Sequence, residues 1–272
     1  SGHGGGAVRI EATNAVQIFG SILANGGGRG GIHGHGGSGG SIFITCRTLG
    51  GSEAGLLQAR GESISHGGIS GGGGRIAVIY DPAAQAGVNP GVRFDGQAGS
   101  QSSGYNSFWR NHQGTLYLPD NTFLATNLIQ NQFIQVTYFS PGFTHWSVPG
   151  LVISNNAIDF GEEGFELTVA GDLVLGPAGI LGLRTNAQLR VGRHLKLEGG
   201  GQLSLRSGPT NDLRPEHGLG VEVGGTLQIA SNAWVYPWSH PINGGSPVLR
   251  AGSMTIDAGG GIDANYLGFA NN

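Results

Sequence analysis

The feature that most constrains this chain is a segment that recurs at a fixed offset of 34 residues. The stretch 8–12 aligns with 42–46 and then with 76–80, and each copy alternates aliphatic residues with other types. The offset also aligns Ile22–Leu23 with Leu56–Leu57. Such period-two alternation predicts β-strands whose side chains point alternately into and out of the fold. A repeat of this kind favours a stack of similar coils over a single layered domain.

A glycine tract precedes each of these strands. The chain has 55 glycines among 272 residues, and glycine runs stand at Gly4–Gly6, Gly36–Gly40 and Gly71–Gly74. Glycine lets backbones approach closely or adopt extended polyproline-II geometry without side-chain clashes. We therefore expect the stretch Gly26–Gly40, GGGRGGIHGHGGSGG, to be an ordered part of the coil and not a flexible linker.

The second half of the chain repeats on a period of about 22 residues. Leu173–Leu175 matches Leu195–Leu197 and Leu181–Leu183 matches Leu203–Leu205, and the pattern returns near Leu227 and Met254. A small residue stands six positions after the first aliphatic residue of each copy, at Gly179, Gly201, Ala233 and Gly260. A 22-residue unit is too short for two helices, and its β-branched, glycine-punctuated sequence predicts strand, tight turn, strand.

These repeats predict an all-β fold, a parallel β-helix that is right-handed like other parallel crossovers. We expect one continuous solenoid domain with three zones: glycine-rich coils over 1–83, irregular aromatic-rich coils over 84–165, and regular coils over 166–272. Cys46 shares the inward parity of Ile42 and Ile44, so its thiol is expected to be buried. As the one cysteine of the chain, it excludes an intrachain disulfide.

Composition excludes several classes of function. Hydrophobic residues make up 38% of the chain, charged residues make up 11%, and the net charge is −3. This balance is not typical of a disordered chain, and the 14 basic residues are scattered, so no nucleic-acid partner is expected. No apolar run is long enough for a membrane span.

The segments GHGGGAVRIEA, GSILANGG, GGSIFIT and GGGGRIAVIYD, followed by GTLYL and the shorter coils, carry a family resemblance. Together they resemble the glycine-rich parallel β-helix repeats of very large, adhesin-like bacterial secreted or surface proteins. The resemblance implies an extracellular or cell-surface scaffold and transfers no catalytic residue. The final GGGIDANYLGFANN looks like the lead-in to another GHGGG start, so we expect a module of a longer array.

A search for catalytic chemistry gives no convergent set. β-Helical hydrolases need carboxylates from adjacent coils, but no acidic position recurs at offset 22 or 34. The densest acidic group comprises Asp159, Glu162, Glu163 and Glu166; it predicts solvated turn charges, with a calcium or catalytic cluster as the alternative. We therefore predict no catalytic residue, no cofactor and no enzyme.

Histidines and one acid–imidazole pair are the candidates for metal or polar sites. His33, His35 and His66 fall on glycine loops that stack, where they could ligate zinc or copper or simply cap turns. Asp172 and His194 stand 22 residues apart, which predicts a structural pair between coils.

Five residues form a candidate ligand surface: Trp109, Tyr117, Trp146, Arg184 and Arg206. The aromatic residues belong to the middle zone, where exposed rings would mark a binding site and packed rings would only cover the coils. Arg184 and Arg206 stack at offset 22 on the outward parity, and no aspartate is expected beside them.

The leading hypothesis for function is an extracellular structural module: a fibre or filament subunit, a stalk or an adhesin segment. A solenoid end exposes unpaired strand edges, and the sequence offers no charged cap, since Asp263 is the only charged residue after Asp257. We therefore expect stacking onto other copies. The alternatives are a polysaccharide lyase or hydrolase and a carbohydrate-binding module that uses the aromatic middle.

Overall fold

The computed structural model describes residues 2–28, 35–64, 69–100, 113–210 and 216–268. Its regular secondary structure is nearly all β, and the strands pair in long parallel sheets, which confirms the expected class at that level. The chain divides into two compact units, unit 1 with Ser1–Leu124 and Gln132–Pro141 and unit 2 with Ala125–Asn131 and Gly142–Asn272. The three zones and the continuous solenoid stay predictions.

Unit 1 holds short strands and one helical turn. They are β1 (Ala7–Glu11), β2 (Ala15–Ile18), β3 (Ser21–Leu23), β4 (Ser41–Thr45), β5 (Thr48–Gly51), β6 (Leu56–Gln58), β7 (Arg75–Ile79), α1 (Pro82–Gln85), β8 (Arg93–Asp95), β9 (Gly114–Tyr117), β11 (Phe133–Ile134) and β12 (Val136–Phe139). They pair in the orders β1-β4-β7-β9-β12, β2-β5 and β3-β6-β8-β11.

The 34-residue offset is the pairing register of the first three strands in the largest sheet of unit 1. Val8 lies beside Ile42, and Ile42 lies beside Ile76. Ile42 and Ile76 are each 1% exposed, and the residues between such positions face outward. The alternation seen in the sequence therefore builds a column of aliphatic side chains in the interior, as predicted.

The offset is not constant around the repeat. The sequence alignment places Leu23 beside Leu57 at offset 34, but this is wrong, because Ile22 occupies that place. The turns between strands differ in length, so β2 pairs with β5 at offset 33 and β3 with β6 at offset 35. As a result Leu57 is fully buried, whereas Leu23 is 54% exposed.

The glycine tracts are required by the close approach of neighbouring backbones. A Cβ on Gly40 would lie 1.9 Å from the carbonyl oxygen of Gly6, and one on Gly37 would lie 1.8 Å from that of His3. Neither Gly40 nor Gly37 has a positive φ. Space, and not an unusual backbone conformation, therefore demands glycine here.

Backbone hydrogen bonds tie the described parts of these tracts together at three-residue intervals. The donor and acceptor pairs include Gly2–His35, Gly5–Ser38, Gly36–Ile69 and Gly39–Gly72, at 2.6–2.9 Å. Three residues per turn is the spacing of polyproline II, in agreement with the expectation for these segments. Residues 29–34 and 65–68 lie outside the described chain.

Two further features complete the interior of unit 1. Gln85 in α1 is fully buried, and its amide bonds both the N–H and the carbonyl of Leu49, at 2.8 and 3.0 Å. Cys46 is 7% exposed, and burial raises the pKa of its thiol. The predicted burial of Cys46 is confirmed.

Unit 2 contains longer and more regular strands. They are β10 (Asn127–Leu128), β13 (His145–Val148), β14 (Leu151–Ile153), β15 (Ala157–Phe160), β16 (Glu166–Val169), β17 (Leu173–Leu175), β18 (Ile180–Leu183), β19 (Gln188–Val191), β20 (Leu195–Leu197), β21 (Gln202–Arg206), β22 (Leu219–Ile229), β23 (Trp234–Trp238), β24 (Pro247–Ile256) and β25 (Gly261–Ile262).

The 22-residue repeat is again a pairing register. One column contains Leu173, Leu195 and Leu227, and a second contains Leu181, Leu203 and Val235. All six side chains are fully buried. The predicted inward ladder of unit 2 is therefore confirmed.

The small residue at each turn has a steric cause. A Cβ on Gly179 would lie 2.0 Å from the carbonyl oxygen of Ile153, and one on Gly201 would lie 2.2 Å from that of Leu175. The turn of each repeat thus presses against the repeat before it, which leaves no room for a large side chain. Within the described residues, no helix has the length and apolar character needed to cross a membrane.

Candidate functional site

The aromatic side chains of the middle zone pack inside the two units. The fully buried ones are Phe94, Phe123, Phe133, Tyr138, Phe160 and Phe165. In unit 1 the rings of Phe94 and Phe133 stack with centroids 6.1 Å apart, and in unit 2 those of Phe160 and Phe165 stack at 4.5 Å. This arrangement supports packed irregular coils and leaves these rings unavailable to a ligand.

The predicted aromatic ligand surface is not assembled. Trp146 is 8% exposed, because it points inward from β13 and packs on Phe143 and Phe160 at 6.2 and 5.9 Å. Tyr117 is half-buried on β9. Trp109 lies outside the described residues, so the proposed role of its ring stays a prediction.

The histidine candidates can be placed only in part. His35 accepts a hydrogen bond at Nδ1 from the backbone N–H of Ile69, at 3.2 Å, which is the turn-capping role. His33 and His66 lie outside the described residues. In the part of the chain that the structure describes, no three His, Cys, Asp or Glu side chains group as a metal site.

An aspartate does lie beside the paired arginines, contrary to expectation. The register of β18 and β21 makes Arg184 and Arg206 neighbours. Arg184 donates from Nη2 and Nε to Oδ2 of Asp159, at 2.9 and 3.2 Å. The Asp159 side chain is 2% exposed, so its prediction as a solvated turn charge is wrong. It belongs to β15 and lies over Gly182, where a Cβ would come within 1.6 Å of Oδ1.

The patch around Arg206 is also covered. Its guanidinium carbon lies 5.7 Å from the ring centre of Trp238, and burial, reinforced by the charge of Arg184, lowers the pKa of Arg206. The neighbouring Ser204 is 1% exposed, and its Oγ has no hydrogen-bond partner. Outward parity therefore does not make Arg184 and Arg206 an open ligand surface.

The other acidic residues contribute to a charge ladder on the outer face of unit 2. Arg190 lies 3.6 Å from Glu166 and 3.5 Å from Glu222, and Arg250 follows Glu222 in the register. This ladder lines an open groove of about 470 Å³. The Arg190, Glu166 and Glu222 side chains are all close to half exposed, and such ion pairs contribute at most about 1 kcal/mol each.

The predicted pair of Asp172 and His194 is present, through the backbone. Asp172 accepts from the His194 N–H at 3.2 Å and from Lys196 Nζ at 3.1 Å. Lys196 is the main cause that holds the pKa of Asp172 below its usual range. His194 Nδ1 in turn accepts from the N–H of Thr226 at 3.1 Å. These contacts join successive repeats and leave no catalytic geometry.

One end of unit 2 exposes the interior columns. Met254, Ile256 and Ile262 continue the columns of fully buried residues in β22 and β23, yet they are 45%, 46% and 39% exposed. Among the described strands, β24 pairs only with β22 and β25 only with β23. We call this surface the terminal face of unit 2.

The first repeat of unit 1 has a similar surface, which we call its initial face. Val8 and Ile10 are only half-buried, whereas their partners Ile42 and Ile44 are 1% and 0% exposed. β1 pairs only with β4 among the described strands. Both faces therefore offer half-covered aliphatic side chains beside a strand edge without a partner, which is a template for further pairing.

Comparison with models of protein families, with curated proteins and with solved structures finds no match. The resemblance to glycine-rich repeats therefore stays a prediction.

Sequence reasoning missed two charged residues at these faces. Arg9 lies between Val8 and Ile10 on the initial face, and Asp263 directly follows Ile262 on the terminal face. The signal in the sequence was the matching order of an aliphatic residue followed by an outward charge of opposite sign.

Proposed function

We propose that the chain is a right-handed parallel β-helix that acts outside the cell as a structural module, extended end to end by further copies. The low charge, the glycine content and the inward columns in each unit support a stiff scaffold. The absence of a metal group and of converging carboxylates in the described chain adds no site that would compete with this role.

The observation that carries the proposal is the exposure of the terminal face. Completely burying an Ile or Met side chain contributes about 1.5–3 kcal/mol, so covering three half-exposed ones gives on the order of 3 kcal/mol. Backbone hydrogen bonds between the unpaired edges would add to this. Association itself costs several kcal/mol, so we expect dissociation constants between about 1 µM and 1 mM.

Sedimentation velocity over that concentration range tests the proposal. The parent protein is expected to form species larger than dimers as its concentration rises. Ile262→Lys places a charge on the terminal face and should abolish this growth. Val88→Lys changes a residue that is 53% exposed in unit 1, away from both faces, and should associate like the parent. A monomer at all concentrations, or equal association of Ile262→Lys, would overturn the proposal.

A polysaccharide ligand is the second candidate, favoured by the open groove lined by Arg190, Glu222 and Arg250. Its charges alternate along the direction of strand stacking, so it suits a chain with regularly spaced polar groups. Incubation with uronic-acid and neutral polysaccharides, read by reducing ends and by absorbance of unsaturated products, distinguishes binding from turnover. We expect no turnover. Product formation lost in Glu222→Gln would make the chain an enzyme.

A further inference from the structure

The polarity and register of stacking are written in the two charged residues at the faces. Resting on the proposed end-to-end association, we infer that β1 of a second copy pairs in parallel with β25. In this register Val8 of the second copy lies beside Ile262, and Arg9 lies beside Asp263. The partner is therefore a second copy of this chain that presents its initial face.

Side-chain alternation limits the possible registers. A shift of one residue would turn Val8 and Ile10 out of the interior, because successive strand residues point to opposite faces. A shift of two residues keeps the parity and places Ile262 beside Ile10. It also places Asp263 beside Glu11, so two carboxylates would face each other, which is unfavourable. Charge therefore selects the register with Val8.

Arg9 is able to reach a second carboxylate. Its side chain is 74% exposed and is held over the Phe43 ring, with Cζ 5.7 Å from the centroid. It already donates to Glu11 from Nε and Nη2. A guanidinium has five N–H donors, so donors remain for a second acceptor.

Asp263 is positioned to receive them. Its N–H bonds the carbonyl of Val235 at 2.9 Å, which fixes it in line with β25. Its Oδ1 accepts from the N–H of Asn265 at 2.9 Å, a local turn that orients the carboxylate. Because the next outward position along the column belongs to the unpaired edge, the carboxylate faces the incoming strand.

Such a contact joins different surfaces of two identical chains. It does not close on itself, so it propagates along one axis with every copy in the same orientation. An Arg–Asp pair at each junction would select this polarity over a contact between two initial faces, where the arginines would repel.

Charge reversal in separate chains tests the register. Arg9→Glu and Asp263→Lys should each weaken self-association by about fivefold, because each creates a like-charge contact across the junction. A one-to-one mixture of the two variants should recover association close to that of the parent. In the mixture, chains of the two variants alternate, so every junction joins opposite charges, either both native or both reversed. Glu11→Lys is the matched control and should change association little.

The outcomes separate the two proposals. Association of the parent that ignores both reversals, or that strengthens severalfold in Glu11→Lys, would overturn the register while leaving end-to-end association intact. No association in any protein would overturn the proposed function itself. Recovery in the mixture also shows that both variants are folded, since a misfolded chain would not restore the partner.

Discussion

At the residue scale, Asp120 joins two tyrosines in unit 1. Tyr80 donates its hydroxyl to Oδ1 of Asp120, and Tyr138 donates to the backbone carbonyl of the same residue, both at 2.6 Å. Burial is the main cause that raises the pKa of both phenols above its ordinary value, and the charge of Asp120 adds to it. The contact links β7 and β12 through polar atoms within an aliphatic and aromatic interior.

This geometry predicts a loss of stability in alkaline solution. In the unfolded chain both tyrosines ionise near pH 10, whereas the folded chain keeps their protons to higher pH. The free energy of unfolding should therefore fall as pH rises above about 10. Tyr80→Phe should lose about 1–3 kcal/mol at pH 7 and show a smaller further loss between pH 9 and 11, measured by urea unfolding.

Tyr266→Phe is the matched control, because Tyr266 is 84% exposed. It should follow the parent at every pH. An alkaline loss in Tyr80→Phe equal to that of the parent would contradict the raised pKa.

Single residues also show where sequence reasoning stops. Parity predicted the inward position of Cys46 and Leu203, because it depends only on period-two alternation. It could not predict that Asp159 and Ser204, on outward positions, would be covered. Their burial depends on long neighbours such as Arg184 and on the space above Gly182, which the spacing of residues does not encode.

At the scale of elements, the columns of unit 2 predict unequal costs for inward and outward changes. Leu203→Ala should lower the free energy of unfolding by about 2–5 kcal/mol, since it leaves a cavity among fully buried neighbours. Lys196→Ala should cost at most about 1 kcal/mol, because it removes only the exposed pair with Asp172. Urea unfolding monitored by far-UV circular dichroism compares the two.

Ser204→Ala is a second control, with a reason that the structure changes. Ser204 is buried, but its hydroxyl has no partner, so replacing it with a methyl group should be close to neutral. Equal losses in all three variants would refute the inward ladder.

The glycine segments predict a position-specific response to alanine. Gly40→Ala should cost about 1–3 kcal/mol or more, because its Cβ would overlap the Gly6 carbonyl oxygen. Gly6→Ala meets no atom within 4 Å and should be neutral or slightly stabilising through lower entropy of the unfolded chain. Thermal unfolding of both variants gives the comparison, and a similar shift in the two midpoints would count against close backbone packing.

The elements also show how far the repeat could be read in advance. Strands at offsets 22 and 34 were predictable because their columns are aliphatic and periodic. The shift of β3 against β6 was not, because it follows from turn lengths that differ by one or two residues. The buried aromatic rings of the middle zone were left open by the sequence, since a ring that packs and a ring that binds look the same in one chain.

At the scale of the whole molecule, function depends on what covers the two faces. Each face ends columns that are otherwise fully buried, and Arg9 and Asp263 give the faces opposite charges. The sequence predicted uncapped ends, but not which residues would set the register, because that requires knowing which outward position follows each interior one at the edge. The account therefore joins fold and function at a single contact between copies.

Fibre diffraction from aligned assemblies of the protein tests this central claim most directly. If copies continue the stacking of parallel strands, the strands lie across the long axis of the assembly. A meridional reflection near 4.8 Å, the spacing of hydrogen-bonded strands, is then expected, and it should disappear in Ile262→Lys samples prepared in the same way. Assemblies whose 4.8 Å reflection lies on the equator would show side-by-side association and would contradict end-to-end stacking.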